Sequence, residues 1–189
     1  ATGTADLALM TLRRHPDAVH VGLETITETT LRFIAAARET GIDGVFYAVQ
    51  HAQYGLLGEG EYGVFGRPYD LRLLEAAQEL WLNVLHLHGA DVMFDLLSDY
   101  PVQVMNWHDR ETPPGLAAGQ DRFIGAVCGG LQRWETVVRG SPAQVKEQAR
   151  DAITQTGGER FILGTGCVTP VVAPISNIQA AREAVELEG

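Results

Sequence analysis

The sequence contains little lysine and little cysteine. Lys146 is the only lysine among the 189 residues and falls in a predicted surface helix, which effectively excludes chemistry based on a Schiff-base lysine. The two cysteines, Cys128 and Cys167, lie too far apart in the sequence to form a metal knuckle or a disulfide framework by themselves. This scarcity fits a reducing compartment, and we expect a cytoplasmic protein.

The sequence also lacks long apolar runs and an excess of positive charge. No apolar stretch reaches the roughly 18 residues that a membrane span requires, and the N-terminus has no basic-then-apolar signal pattern. The formal net charge is −10, with 24 acidic residues against 14 basic ones. An acidic chain binds phosphate backbones poorly, so we expect neither a membrane nor a nucleic acid as partner.

Short apolar segments alternate with amphipathic helices along the chain. Five segments have the pattern of buried strands, at 45–49, 82–86, 102–106, 123–128 and 160–163. One helix between them has clear boundaries, with Ser141 as N-cap, Gln144 completing a capping box and Gly157 at the C-terminus. The glycine-rich stretch from Gly55 to Pro68 reads as one long irregular loop. The alternation predicts an α/β fold with a parallel sheet.

In parallel α/β folds the functional site lies beyond the carboxyl ends of the strands. Four of the six histidines and both cysteines fall at or just after the five predicted strands. His86 and His88 are two positions apart in an extended segment, so their side chains should point to the same face. With Cys167 they would form a three-ligand set that zinc accepts while keeping a fourth position open. Alternatively, one histidine forms hydrogen bonds within the protein and the other is exposed to solvent, and Cys167 is a small buried thiol.

Other side chains at these strand ends are candidates for catalysis or substrate binding. His51, Tyr54 and His108 are the candidate catalytic residues, although isolated histidines are often bystanders. The candidate substrate contacts are Gln50, Asn106, Asp109 and Arg110. Asp109 and Arg110 could instead form a local ion pair with each other.

Several of these segments also resemble a known family, the uroporphyrinogen decarboxylase superfamily, in its C-terminal half. The segments that carry the resemblance are Val49-Gln50-His51-Ala52, Pro68-Tyr69-Asp70, His86-Leu87-His88-Gly89, Asn106-Trp107 and Gly164-Thr165-Gly166-Cys167-Val168-Thr169-Pro170. The superfamily also includes zinc-dependent methyltransferases that act between corrinoid proteins and thiols. The resemblance implies a (β/α)8 barrel with its site at the carboxyl mouth.

The resemblance implies an incomplete barrel. Residues 1–189 would form one domain with about five C-terminal strand–helix units, whereas a complete barrel has eight strands and typically about 250 residues. The N-terminal units would then be missing. The chain begins at Ala1 without methionine, and we expect a fragment or one half of a split enzyme. The complement would be the missing barrel half or another chain, and a homodimer is a further option.

The resemblance leaves the reaction open between branches of the superfamily. Cys167 follows Gly166 where decarboxylases have a Gly-His pair, and Gln50 stands where they have serine. His86 and Cys167 match zinc-ligand positions of the methyltransferase branch, and His88 replaces its middle cysteine. We therefore expect a methyltransferase-like enzyme with zinc and a corrinoid carried by a partner protein. The alternatives are decarboxylation of a tetrapyrrole substrate in porphyrin biosynthesis and a non-catalytic half-barrel subunit.

Overall fold

The fold is built on a parallel sheet, as the sequence predicts. The computed structural model describes residues 4–186. Its five strands are β1 (Phe46–Val49), β2 (Val84–Leu87), β3 (Val104–Trp107), β4 (Ala126–Leu131) and β5 (Phe161–Thr165). They pair in chain order, each parallel to the next, so β1 and β5 form the two edges of the sheet. All five carboxyl ends therefore meet at one edge of the molecule.

Helices lie between successive strands, and further helices precede β1 and follow β5. They are α1 (Ala5–Arg14), α2 (Pro16–Arg38), α3 (Glu59–Phe65), α4 (Arg67–Ala76), α5 (Phe94–Leu97), α6 (Leu116–Arg122), α7 (Pro142–Thr156) and α8 (Ile175–Glu186), with a π-helical turn at Arg133–Val138. The predicted limits of α7 are confirmed: the Ser141 hydroxyl and the Gln144 side chain complete a capping box, and Gly157 ends the helix at a φ of 66°. No helix within residues 4–186 is long and apolar enough to cross a membrane.

The two faces of the sheet have different surroundings. Leu85, Leu87, Met105, Trp107 and Val127 point to the helices and are fully buried in the main core. The opposite face carries His86 and Asn106, but it also leaves apolar side chains in the open: Phe46 is 62% exposed and Ile162 is 42% exposed. A closed barrel would bury such side chains in its interior, so this face has the character of part of a barrel wall.

Two details of the sequence prediction are wrong, and glycine explains both. The segment from Gly55 to Pro68 is not one irregular loop, because it contains all of α3 and the start of α4. Glu61 accepts a hydrogen bond from the Gly58 N–H at 3.1 Å and caps α3, while its buried residue Tyr62 anchors the helix to the core. The many glycines of this segment had favoured an irregular loop in the sequence analysis.

Strand β4 also begins and ends three residues later than predicted. Gly129 and Gly130 lie inside the strand rather than after it. A Cβ at Gly129 would lie 2.4 Å from the Asp109 carboxylate, and Gly130 has a φ of 98° that side chains rarely adopt. Both positions therefore require glycine for close approach and backbone shape, which is the usual meaning of glycine inside a strand.

Candidate metal centre

The carboxyl edge of the sheet brings four metal-ligating side chains together. His86, His88, His108 and Cys167 each offer one ligand atom, and these atoms all lie within 4.8 Å of one another. The cluster contains the three side chains predicted as ligands, together with His108, which the sequence suggested as a catalytic residue. The His88 Nδ1 and Cys167 Sγ atoms are 3.8 Å apart, and the three imidazole centroids are separated by 5.3 to 5.8 Å.

Strand register explains how the three histidines meet. His86 is paired with Asn106 across β2 and β3, so the two side chains lie next to each other on the same face. His88 and His108 each lie two positions further along the chain, beyond the last residue of their strands. Because side chains alternate between faces, all three imidazoles extend from the face that carries Asn106.

Cys167 reaches the cluster because the chain after β5 passes very close to β3. A Cβ at Gly166 would lie 2.6 Å from the Trp107 carbonyl oxygen and 2.7 Å from the His108 Cα atom. Only a residue without a side chain permits this approach. The glycine before Cys167 is thus what brings the thiol next to the histidines.

Hydrogen bonds orient two of the histidine rings. The Asn106 amide nitrogen donates to the carbonyl oxygens of Cys128 and Thr165, at 2.8 and 3.1 Å. Its oxygen must then face His86, so the Nδ1–H of His86 donates to it at 2.6 Å. The His108 Nδ1–H similarly donates a hydrogen bond to the Glu111 carboxylate at 3.2 Å. Both rings therefore direct Nε2 lone pairs away from these partners.

Those two Nε2 atoms are buried and have no hydrogen-bond partner within residues 4–186. A buried acceptor without a partner is costly, and such atoms call for a physical explanation. Metal-binding histidines commonly use one ring nitrogen as ligand and donate the other ring N–H to an oxygen. His86 and His108 have this arrangement, so the donor set fits a metal ion.

Electrostatics keep two of the imidazoles neutral. Burial lowers the pKa of His86 to about 4, with smaller contributions from the other histidines and from the positive charge of Arg133. Burial likewise lowers the pKa of His88, and both His108 and Arg133 act in the same direction. Neutral imidazoles offer a free lone pair at neutral pH, as ligation requires.

The other candidates near β3 are held by protein partners. Asn106 is 3% exposed and positions His86 instead of facing a ligand. The Asp109 carboxylate accepts from the Gly130 N–H at 3.1 Å, and burial raises its pKa to about 6. Arg110 donates to the Gly130 carbonyl and pairs with Asp151 at 2.6 Å. The local ion pair between Asp109 and Arg110 is present at 3.7 Å, so the structure favours that alternative over substrate binding.

The candidates that follow β1 lie outside the donor cluster. Gln50 and His51 line a mostly apolar cavity of about 400 Å³ beside α1 and α2, and none of the four donors lines it. Tyr54 is 48% exposed, and its hydroxyl donates to Glu59 at 2.5 Å. The structure therefore does not bring these three residues to the histidines.

Sequence reasoning missed Glu111, which orients the His108 ring, and Arg133, whose charge lowers the pKa values of His86 and His88. Glu111 follows His108 by three residues, and a carboxylate at that spacing beside a strand-end histidine was a usable signal. Arg133 follows β4 by two residues, as Cys167 follows β5. Ending the predicted strand at 128 placed Arg133 too far along the chain for it to be considered.

The fold and the cluster define a class: a parallel α/β protein of partial-barrel type, with histidine and cysteine donors at its carboxyl edge. A family model described as uroporphyrinogen decarboxylase (URO-D) matches residues 2–187, so the chain belongs to that family. This result confirms the resemblance on which the fold and family expectations relied.

A solved structure of a methyltransferase from Methanosarcina mazei shares the fold. The comparison of the two structures gives a TM-score of 0.81 and 19% sequence identity, and it covers 96% of this chain. The match covers 53% of the methyltransferase, so the chain spans about half its length. A comparison with curated protein sequences found no match.

Proposed function

We propose that this chain supplies the zinc-binding part of a methyltransferase-like enzyme that moves a methyl group to a thiol. The observation that carries the proposal is the donor cluster, in which two buried and unpartnered Nε2 atoms meet a further histidine and a thiol. Three nitrogens and one sulfur suit zinc, a borderline-soft ion that is commonly bound by His and Cys. The fold shared with a methyltransferase supports the same proposal.

Each residue of the cluster has a defined part in the proposal. His86, His88, His108 and Cys167 would hold the metal, with Asn106 and Glu111 fixing the first and third rings. Zinc bound there would lower the pKa of an acceptor thiol and keep it as a nucleophilic thiolate near neutral pH. A site with four protein donors is closed, so the acceptor thiol would need to replace one donor or add a fifth.

In the proposal, His108 is the donor that the acceptor thiol replaces. Its Nδ1 partner, Glu111, is 38% exposed in its side chain, whereas the Asn106 side chain that holds His86 is buried. Withdrawal of His108 would leave His86, His88 and Cys167, the three ligands predicted from the sequence. The acceptor thiol would lose its proton to solvent, and the thiolate sulfur would form a bond to the methyl carbon. The bond between that carbon and the donor would break at the same time, and its electron pair would stay on the donor. The donor in the proposal is a methylated corrinoid on a partner protein, as the resemblance implies.

We also propose that further strand–helix units complete the barrel. The free edges are β1 and β5, and the face between them exposes Phe46 and Ile162. Three more parallel strands would pair both edges and cover these apolar side chains. They would belong to the same polypeptide or to a complementary chain.

Metal content and two matched variants test the proposal. We expect about one zinc per chain in the purified protein and loss of zinc in His86→Ala. His15→Ala is the control, because His15 is exposed and its side chain makes no capping hydrogen bond. A folded protein that binds no zinc and releases carbon dioxide from uroporphyrinogen would overturn the proposal. That result would favour the decarboxylase activity after which the family model is described.

A further inference from the structure

An apolar cavity lies between the N-terminal helices and the end of β1. Its volume is about 400 Å³, and it is lined by residues of α1, α2, α3, β1 and the loop that follows β1. Most of the lining side chains are apolar, among them Leu9, Leu12, Leu23, Val49, Leu57 and Phe65. The volume falls in the range of pockets that bind small molecules. None of the four metal donors lines the cavity, so a molecule held there would not be a metal ligand.

One buried carboxylate also lines this cavity, that of Asp70 in the first turn of α4. Its Oδ1 atom accepts a hydrogen bond from the Tyr47 hydroxyl at 2.6 Å. Its Oδ2 atom accepts from the hydroxyls of Tyr62 and Tyr100, the latter at 2.9 Å. A carboxylate offers about four acceptor sites. Within residues 4–186 these three bonds therefore hold the carboxylate in place and leave one acceptor site on Oδ1 unused.

The charge of Asp70 has no ion-pair partner in the described part of the chain. Arg67 acts on it from a distance, but its guanidinium lies over the Tyr100 ring and pairs with Asp99 at 2.6 Å. The three tyrosine hydroxyls are neutral donors, so they bind the carboxylate without cancelling its charge. Burial raises the pKa of Asp70 despite these hydrogen bonds. Because buried charges are normally paired, the wall of this cavity is complementary to a cation.

We propose that the cavity binds a small primary amine with an apolar body, whose ammonium group lies at Asp70. The ammonium group would donate a hydrogen bond to the unused acceptor site on Oδ1. The alkyl or aryl body would contact the leucines of α1 and α2. A carboxylate ligand of the same shape would bring a second negative charge to Asp70 and would be rejected. The inference goes beyond the proposed function and does not depend on the metal site.

Matched ligands test the charge complementarity in the wild-type protein. The probes are hexylamine, 1-hexanol and hexanoate, which share a six-carbon chain and differ in the head group, and binding is measured by isothermal titration calorimetry. We expect hexylamine to bind about tenfold more tightly than hexanol or better, since hydrogen bonds between charged groups are among the strongest. Hexanoate should bind more weakly than hexanol.

Two outcomes in the wild type would overturn the inference. Equal affinities for the amine and the alcohol would show an apolar pocket without selectivity for charge. Absence of amine binding is the result expected if a further segment of the barrel fills the cavity. Both results are obtained without any substitution, so they do not depend on how well a variant folds.

Three variants locate the binding site. Asp70→Asn is nearly isosteric and should lower the affinity for hexylamine about tenfold, to that for hexanol, while hexanol binding stays unchanged. Asp121→Asn is the matched control, because Asp121 is exposed in α6 and does not line the cavity. Ala8→Trp should fill the cavity from α1 and abolish binding of both ligands, which tests the location even if Asp70→Asn does not fold. Wild-type affinity for hexylamine in folded Asp70→Asn or in Ala8→Trp would overturn the inference.

Discussion

Asn106 offers the sharpest test of how this site is assembled. Its amide nitrogen donates to two backbone carbonyls, and its oxygen accepts a hydrogen bond from the Nδ1–H of His86 at 2.6 Å. The substitution Asn106→Ala removes all three hydrogen bonds from a residue that is 3% exposed. The His86 ring then loses the partner that fixes its tautomer and orientation.

The structure sets the size of two separate effects. Loss of the partner that orients a ligating histidine typically reduces metal affinity by about 10- to 100-fold. Loss of hydrogen bonds to buried polar groups should lower the free energy of unfolding of the metal-free protein by about 1–3 kcal/mol. Zinc affinity is measured by competition with a chromophoric chelator, and unfolding is measured by urea titration.

Asn177 provides a matched control for the stability effect. It is 1% exposed, and its amide nitrogen donates to the carbonyls of Val137 and Gly140 at 3.0 and 2.8 Å. Asn177→Ala should destabilise the metal-free protein to a similar extent and leave zinc affinity unchanged. A folded Asn106→Ala protein with wild-type zinc affinity would refute the positioning role of Asn106.

Two further predictions concern close packing and a buried carboxylate. Gly166→Ala should destabilise the protein and weaken zinc binding, because its Cβ would clash with the Trp107 carbonyl oxygen at 2.6 Å. Gly22→Ala, with open space around it in α2, should instead stabilise by about 0.5–1 kcal/mol in denaturant titrations, and equal effects of the two would contradict this account. Tyr47→Phe removes a 2.6 Å hydrogen bond to the buried Asp70 carboxylate and should cost about 1.5–3 kcal/mol of unfolding free energy. An unchanged urea midpoint would show that this bond contributes nothing.

The parallel direction of the strands was predictable because it depends on local patterns. Alternating apolar strands and amphipathic helices imply a parallel sheet, whose carboxyl ends then meet at one edge. The segment that forms α3 and the limits of β4 were mispredicted because glycine was taken as the mark of a loop or of a strand end. Glycine also occurs inside helices and strands, where it permits close packing. At Gly129 it reflects the nearby Asp109 carboxylate, a contact between residues distant in sequence.

The site was predictable only where chain neighbours share a face. The spacing of His86 and His88 places both imidazoles on one side of β2 from sequence alone. The addition of His108 depends on the register between β2 and β3, and that of Cys167 on the close approach at Gly166. Arg110 and Arg133 show the same limit, because only the tertiary contacts reveal that the first is paired and the second is not.

The most direct measurement of the central claim is X-ray absorption spectroscopy at the zinc edge of the purified protein. The account predicts one sulfur ligand at about 2.3 Å and nitrogen ligands at about 2.0–2.1 Å. The sulfur contribution should disappear in Cys167→Ser and persist in Cys128→Ser, because Cys128 lies outside the donor cluster. A zinc shell of oxygen and nitrogen alone in the wild type, or a sulfur signal that survives Cys167→Ser, would contradict the account.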